Sequence, residues 1–142
     1  MSEKILLVDD EKEFLEVMSD RMTARGMDVS TAESAQEALQ KVETGGYDAI
    51  VLDLQMPGVD GIETLKALKR NRPELQVILL SGHATLEKGV EAMKLGAMDF
   101  LEKPADLNEL TEKIRKAQAR KMIFVEQQME SKLKEIISAK GW

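Results

Sequence analysis

Residues able to act together chemically lie far apart in this chain: the acidic run Asp9-Asp10-Glu11, then Asp53, Ser81 and Lys103. Carboxylates gathered at one point repel one another unless a cation joins them. Hard oxygen ligands in a small site suit Mg²⁺, which keeps several waters and welcomes phosphate oxygens. A lysine adds a compact point charge of the kind that pairs with a phosphoryl oxygen, and a serine hydroxyl can donate to another. A carboxylate can also act as a nucleophile and form an acyl phosphate. Phosphoryl transfer needs mainly positioning and charge neutralisation, and these side chains supply both. The chemistry therefore demands elements that bring positions 9–10, 53, 81 and 103 to one place.

The strongest such element is the stretch Ala49-Ile50-Val51-Leu52-Asp53, followed by Met56-Pro57-Gly58. An uninterrupted apolar run bounded by turn residues reads as a strand buried on both faces. Pro57 fixes its own φ and biases Met56 away from the helical region, and a permissive glycine follows. Asp53 is thus expected at the carboxyl end of a central parallel strand, the edge where ligands bind in open α/β sheets.

The other elements follow the same logic. Ile5-Leu6-Leu7-Val8 is a first buried strand running into the acidic triplet. Phe14, Leu15, Met18 and Met22 recur at helical spacing, and Gly26 is a C-terminal stop. Met27 to Thr31 alternates apolar and polar and suits an edge strand. Ser34 with Glu37 is a capping box for a helix that Gly45-Gly46 closes. A helix begins at about Ile62 and ends at Asn71 and Pro73. Val77 to Leu80 is another buried strand, leading to Ser81-Gly82-His83. A helix through Val90, Met93 and Leu95 stops at Gly96, and Asp99 to Glu102 is a fifth strand that delivers Lys103-Pro104.

Strands and helices alternating with short joins call for a parallel sheet with helices on both faces and right-handed crossovers. The most apolar strands belong in the middle, which favours the order 2-1-3-4-5, the flavodoxin-like doubly wound α/β arrangement. In that order the ends of strands one, three, four and five converge, bringing together Asp9 and Asp10, Asp53, Ser81 and Lys103.

The chain resembles the receiver domains of two-component response regulators over roughly residues 3 to 120. The resemblance rests on Leu7-Val8-Asp9-Asp10-Glu11, on Asp53 with Met56-Pro57-Gly58 and Asp60-Gly61, on Leu80-Ser81-Gly82, and on Gly96 through Pro104. Their order and spacing together are specific where each alone is weak. The resemblance implies that Asp53 accepts phosphate from a sensor histidine kinase's phosphohistidine, or from a phosphotransfer protein. It implies Mg²⁺ among Asp9, Asp10, Asp53 and the backbone carbonyl of Gln55, and a cis-proline at Pro104. It also implies a switch pair, Ser81 and Phe100, that signals through the fourth helix, fifth strand and fifth helix to a downstream protein. Beyond promoting its own phosphorylation and dephosphorylation, no enzyme activity is expected.

Each assignment has a plainer rival. Acids at positions 9–11 could simply cap a helix, Ser81 a loop, and Phe100 could be ordinary core. His83 reads as a rim residue and the nine methionines as core filler. A flavodoxin-like electron carrier would need a Ser/Thr/Gly-rich loop where Asp9-Asp10-Glu11 stands. An Mg²⁺-dependent aspartate-nucleophile phosphatase would place its nucleophile after the first strand with a second acid two residues on, and Glu11 is there. That enzyme is the alternative reading.

The 142 residues carry 20 basic and 26 acidic side chains, a net charge of −6. This disfavours direct nucleic-acid or anionic-membrane binding. Without cysteine there is neither a disulfide framework nor a thiolate metal site. The amino terminus lacks the features of a signal peptide, and no apolar run is long enough to span a bilayer, so a cytoplasmic location is expected.

The receiver is expected over residues 1–121, with 122–142 as a helical extension. Leu107, Leu110, Ile114 and Ala117 outline a fifth helix opened by Asp106 and Glu109. Met122, Val125, Met129, Leu133 and Ile136-Ile137 continue the periodicity without Gly or Pro until Gly141. An apolar stripe with no domain of its own needs a partner: the receiver itself if the stripe folds back, a second chain in a homodimer, or the rest of a longer protein for which the helix starts a linker; of these the homodimer is the favoured expectation.

Overall fold

The computed structural model describes residues 2–56, 60–82, 86–103, 106–139 and 141. Five strands form one sheet: β1 (Lys4–Val8), β2 (Asp28–Ala32), β3 (Ala49–Asp53), β4 (Val77–Ser81) and β5 (Asp99–Glu102). Their order is β2-β1-β3-β4-β5, and every neighbouring pair is parallel. The helices are α1 (Lys12–Ala24), α2 (Ala35–Thr44), α3 (Gly61–Asn71), α4 (Leu86–Lys94) and α5 (Leu107–Ala139). The flavodoxin-like order and the long final helix are those the sequence predicts.

Side chains alternate across a strand, and that alternation divides the core into two layers. Ile5, Leu7, Ala49, Val51, Ile78, Leu80 and Leu101 pack with Leu15, Met18 and Met22 of α1 and with Leu110, Ile114 and Ala117 of α5. Leu6, Val8, Ile50, Leu52, Val77 and Leu79 pack on the other side with Ala38 and Val42 of α2, Ile62, Leu65 and Leu68 of α3, and Ala92 of α4. β3 and β4 are buried at every position, as expected of strands covered on both faces. β2 is exposed or half-buried until Ala32, as expected of an edge.

Helix ends follow local chemistry. Ser34 Oγ accepts from Glu37 N–H at 3.1 Å. The Glu37 carboxylate accepts not from Ser34 but from Glu33 N–H, at 3.3 Å, one residue earlier than a reciprocal box would have it. Gly26 and Gly96 follow α1 and α4 with φ of 90° and 100°, a left-handed conformation that costs glycine little. Asp106 Oδ1 accepts from Asn108 N–H at 2.8 Å at the start of α5.

Several expectations need adjustment. β2 runs one residue later than Met27–Thr31, and α3 opens at Gly61 rather than Ile62. The methionines are not uniformly core: Met18, Met22, Met27, Met56 and Met98 are buried, but Met93, Met122 and Met129 are exposed. Helical spacing alone does not reveal whether a stripe has anything to pack against. Among the described residues no helix is long and apolar enough to cross a membrane.

Candidate functional site

Asp53 ends β3 on the same side of the sheet as Ala49 and Val51, toward α1 and α5. Asp9 follows β1, its backbone still tied to the sheet by a 3.1 Å hydrogen bond from its N–H to Ala32 O. Both carboxylates are almost wholly buried, Asp9 at 0% and Asp53 at 3% exposure, whereas Asp10 is exposed. Carboxylate oxygens of Asp9, Asp10 and Asp53 lie within 4.8 Å of one another. Of the residues expected to converge, the three carboxylates are thus brought together.

Each buried acid is oriented by the chain that follows it. Asp9 Oδ1 accepts from Glu11 N–H at 2.9 Å, and Asp53 Oδ1 accepts from Gln55 N–H at 2.9 Å. These turns fix one oxygen of each carboxylate and leave the other to face the site. Lys103 fills the space between: its Nζ is 2.6 Å from Asp9 Oδ2, 3.5 Å from Asp53 Oδ2 and 3.8 Å from Glu11 Oε1. It is anchored by its own N–H, which donates to Ser81 O at 2.8 Å. The ammonium lies 4.4 Å from the centre of the Phe14 ring on α1, a cation–π distance.

The charges act on one another. Burial pushes the Asp53 carboxyl above its ordinary value, and the nearby Asp9 charge adds to this; the Gln55 N–H and Lys103 only partly offset them. Burial pulls Lys103 down, but the hydrogen bond to Asp9 and the charges of Asp9, Asp53 and Glu11 outweigh it and hold the ammonium above its ordinary value. The lysine therefore stays charged at neutral pH and serves as the counter-cation of the pair.

Ser81 and Phe100 sit on the other side of the sheet. Ser81 continues the row Val77 and Leu79 and is buried. Phe100, the register partner of Leu79, is half-buried against the α2–α4 layer. A Cβ built on Gly89 of α4 would lie 3.7 Å from the Phe100 ring, so helix and ring are in contact. Pro104 and His83 lie outside the described residues, as does the Pro57-Gly58 part of the loop after Asp53.

One member of the site was missing from the sequence reading, and another stood in it without a role of its own. Phe14 reads from its spacing only as part of the apolar stripe of α1, yet it forms the floor under Lys103. Glu11, read only as part of the acidic run Asp9-Asp10-Glu11, reaches the same ammonium. The signal available was weak: both lie within a turn of Asp9-Asp10, where any helix entering at that edge must pass the site.

As a donor set, Asp9, Asp10 and Asp53 fit a hard divalent cation: carboxylate oxygens only, close together, one of them open to solvent. The same groups, with Lys103, are suited to holding a phosphoryl group against Asp53.

Comparisons with known proteins agree. Residues 5–115 match the response regulator receiver domain family. The chain is 37% identical over 103 residues to the DNA-binding transcriptional regulator NtrC of Klebsiella pneumoniae, covering 72% of this chain and 22% of that protein. It is 36% identical over 107 residues to the photosynthetic apparatus regulatory protein RegA of Rhodobacter capsulatus, covering 75% of this chain and 58% of that one. This chain thus spans only part of these relatives. A response regulator receiver domain from Clostridium thermocellum matches its fold with a TM-score of 0.81 at 34% identity, covering 86% of this chain and 98% of that one.

Proposed function

The chain belongs to the response regulator receiver domain family, the phosphoacceptor modules of two-component signalling, and we propose that Asp53 is its phosphoacceptor. The observation that carries this is the Asp53 carboxylate itself: 3% exposed, one oxygen held by Gln55 N–H, the other 3.5 Å from the Lys103 ammonium. In this reading an Asp53 oxygen attacks the phosphorus of a phosphohistidine on a sensor histidine kinase or phosphotransfer protein. The P–N bond breaks, the imidazole leaves with its electron pair, and an acyl phosphate forms. Lys103 meets a phosphoryl oxygen as a point charge. Asp9, Asp10, Asp53 and the Gln55 carbonyl would hold Mg²⁺, whose charge offsets that of the carboxylates and the phosphoryl oxygens.

Ser81 then donates to the phosphoryl group and Phe100 turns toward the space vacated, biasing an equilibrium between two states through contacts made in only one. The face made by α4, β5 and the start of α5 carries the signal to a downstream protein. Val90 and Met93 of α4, each 46% exposed, give that face an apolar surface to offer. The receiver unit is residues 1–121, working in the cytoplasm, and 122–142 are its extension. Net charge −6 argues against direct nucleic-acid or anionic-membrane contact by this chain. An aspartate-nucleophile phosphatase would use Asp9, but that side chain is fully buried and bound by Lys103.

The test is labelling with acetyl phosphate or binding of beryllofluoride, both with Mg²⁺. Wild type is expected to take up about one label per chain at Asp53 and to lose the response on chelation. Asp53→Asn should take none; label retained by that variant would refute the assignment. Multiple turnover would favour the phosphatase.

A further inference from the structure

Asp9 carries two obligations that conflict. Its Oδ2 accepts from the Lys103 ammonium at 2.6 Å, yet Asp9 is also one of the three carboxylates suited to a divalent cation. Asp9 and Asp53 cannot give their oxygens to such a cation and keep the ammonium as firmly, and the two positive charges repel one another. Lys103 must nevertheless stay beside Asp53 if it is to meet a phosphoryl oxygen there. Something other than those carboxylates has to hold it.

Two further neighbours stand among the described residues. Glu11 Oε1 lies 3.8 Å from the ammonium, but that side chain is 68% exposed, so water and salt weaken its pull. The centre of the Phe14 ring lies 4.4 Å from Nζ. An aromatic face attracts a cation through its quadrupole, most strongly where water is excluded, and the Lys103 side chain is only 17% exposed. The ring has no charge and no lone pair to give a metal ion, so this contact survives metal binding. It also covers a side of the ammonium that water would otherwise hydrate, and a free ammonium is strongly hydrated.

The fold fixes the ring independently of the charges. Glu11 N–H donates to Asp9 Oδ1 at 2.9 Å, and the Glu11 carbonyl accepts from Leu15 N–H at 3.1 Å, opening α1. The residue that orients Asp9 therefore also starts the turn that carries Phe14. Phe14 is half-buried and packs, as Leu107 does, against the layer of α1 and α5. Lys103 is held at its other end by its own N–H on Ser81 O at 2.8 Å.

We infer that Phe14 is a positioning residue for Lys103: its ring keeps the ammonium beside Asp53 when a metal ion and a phosphoryl group occupy the carboxylates. The inference rests on the phosphoacceptor reading of Asp53. Phe14 also packs on the core, and a plainer role as filler differs in what it requires of the lysine. A ring that only fills space matters with or without Lys103; a ring that positions the ammonium matters only with it.

Beryllofluoride affinity of the full chain with Mg²⁺ separates the two. Phe14→Leu keeps an apolar side chain and removes the aromatic face. It should weaken binding by roughly 2- to 30-fold, the span of cation–π strengths from exposed to desolvated sites. Phe14→Tyr keeps the face and should bind as wild type does. In a Lys103→Met background, Phe14→Leu should have little further effect, because residues that act through one another are not additive. NMR reads the contact directly. The ring should move the Lys103 ε-methylene protons upfield in the metal-free chain, and also with Mg²⁺ and beryllofluoride present; Phe14→Leu should abolish that shift. The inference is overturned if Phe14→Leu binds as tightly as wild type, if Phe14→Tyr loses as much, or if the loss is undiminished in Lys103→Met. An upfield shift that disappears when Mg²⁺ and beryllofluoride bind would overturn it too. Wild type unable to bind beryllofluoride would refute the phosphoacceptor reading and the inference with it, whereas variants that match a binding wild type refute the inference alone.

Discussion

Lys103 Nζ donates to Asp9 Oδ2 across 2.6 Å, joining residues 94 positions apart and closing the site with one charge. Without that ammonium, two buried carboxylates would face each other with little solvent to separate them. The lysine is thus a structural counter-ion before phosphorylation and, in the proposed mechanism, a phosphate ligand after it.

Removing the ammonium should expose that double role. Lys103→Met is expected to lose roughly 1–3 kcal/mol of stability, the range for a buried hydrogen-bonding group left without its partner. Mg²⁺ should restore more stability to the variant than to wild type, because it then supplies the only cation between the acids. Urea denaturation with and without Mg²⁺ checks this; equal Mg²⁺ effects on both proteins would contradict it. The variant should still accept phosphate on Asp53 but fail to pass the change on.

Transmission to Phe100 can be followed separately. Phosphorylation or beryllofluoride should shift NMR resonances around Asp53 and also around Phe100 and Gly89, whose Cβ position lies against the ring. In Ser81→Ala the Asp53 shifts should persist while those at Phe100 diminish. Wild-type shifts confined to the neighbourhood of Asp53 would rule out the switch pair.

Much of this was legible in the sequence because the signals are local. Buried strands announce themselves as apolar runs, and Asp53 and Ser81 each stand at the end of one, while Lys103 follows the short mixed strand Asp99–Glu102. Parallel topology then forces those ends together whatever the loops do. The parts not legible depend on how one element sits against another. Phe14 under Lys103 needs a rotation angle that periodicity does not supply. Gly61 is similar: as a letter it only marks a turn.

In the structure Gly61 is a contact. A Cβ there would lie 2.8 Å from Leu54 O, 2.9 Å from Leu54 Cα and 2.7 Å from a Leu54 side-chain carbon. Backbone atoms cannot yield as a flexible side chain can, so Gly61→Ala must push the start of α3 off the segment leaving Asp53. The expected cost is ~1–3 kcal/mol, as for other overpacked sites, with slower phosphorylation because Gln55 N–H loses its alignment on Asp53. A thermal melt and a labelling time course test both; an unchanged melt would show the contact to be relieved cheaply.

Asp99 gives a pH-dependent case away from the site. Burial would raise its carboxyl, but the Lys113 hydrogen bond, the Phe100 N–H and the Lys113 and Lys116 charges prevail and hold it below its ordinary 3.8. A carboxyl lowered in the folded state contributes stability above its unfolded value and loses it as pH falls through the folded one. Asp99→Asn should therefore lower the unfolding free energy read from urea denaturation at neutral pH, by under ~1 kcal/mol for so accessible a pair. The gap from wild type should close below pH 3.8. A gap that persisted in acid would mean that the ion pair was not its source.

The boundary between receiver and extension makes a final, separable claim. Leu110, Thr111, Ile114 and Ala117 are the buried residues of α5, and all precede residue 118. Gln118 and Lys121 still tie the helix to the strand edge opposite Asp53: Gln118 Nε2 is 3.4 Å and Lys121 Nζ 3.7 Å from the Asp48 carboxylate, and Lys121 also donates to Gly46 O at 3.3 Å. Past that point the remaining contact is the shallow hollow beside Arg72-Pro73-Glu74. Truncation after Lys121 is therefore expected to leave a folded receiver that binds beryllofluoride like the full chain, its melt little changed at concentrations where both are monomeric. Truncation after Arg115 removes Ala117 and both ties to Asp48, and should be strongly destabilising. If the shorter cut melted like the longer one, the receiver would end earlier than residue 121; if truncation after Lys121 unfolded the protein, the extension would be part of the receiver's own core.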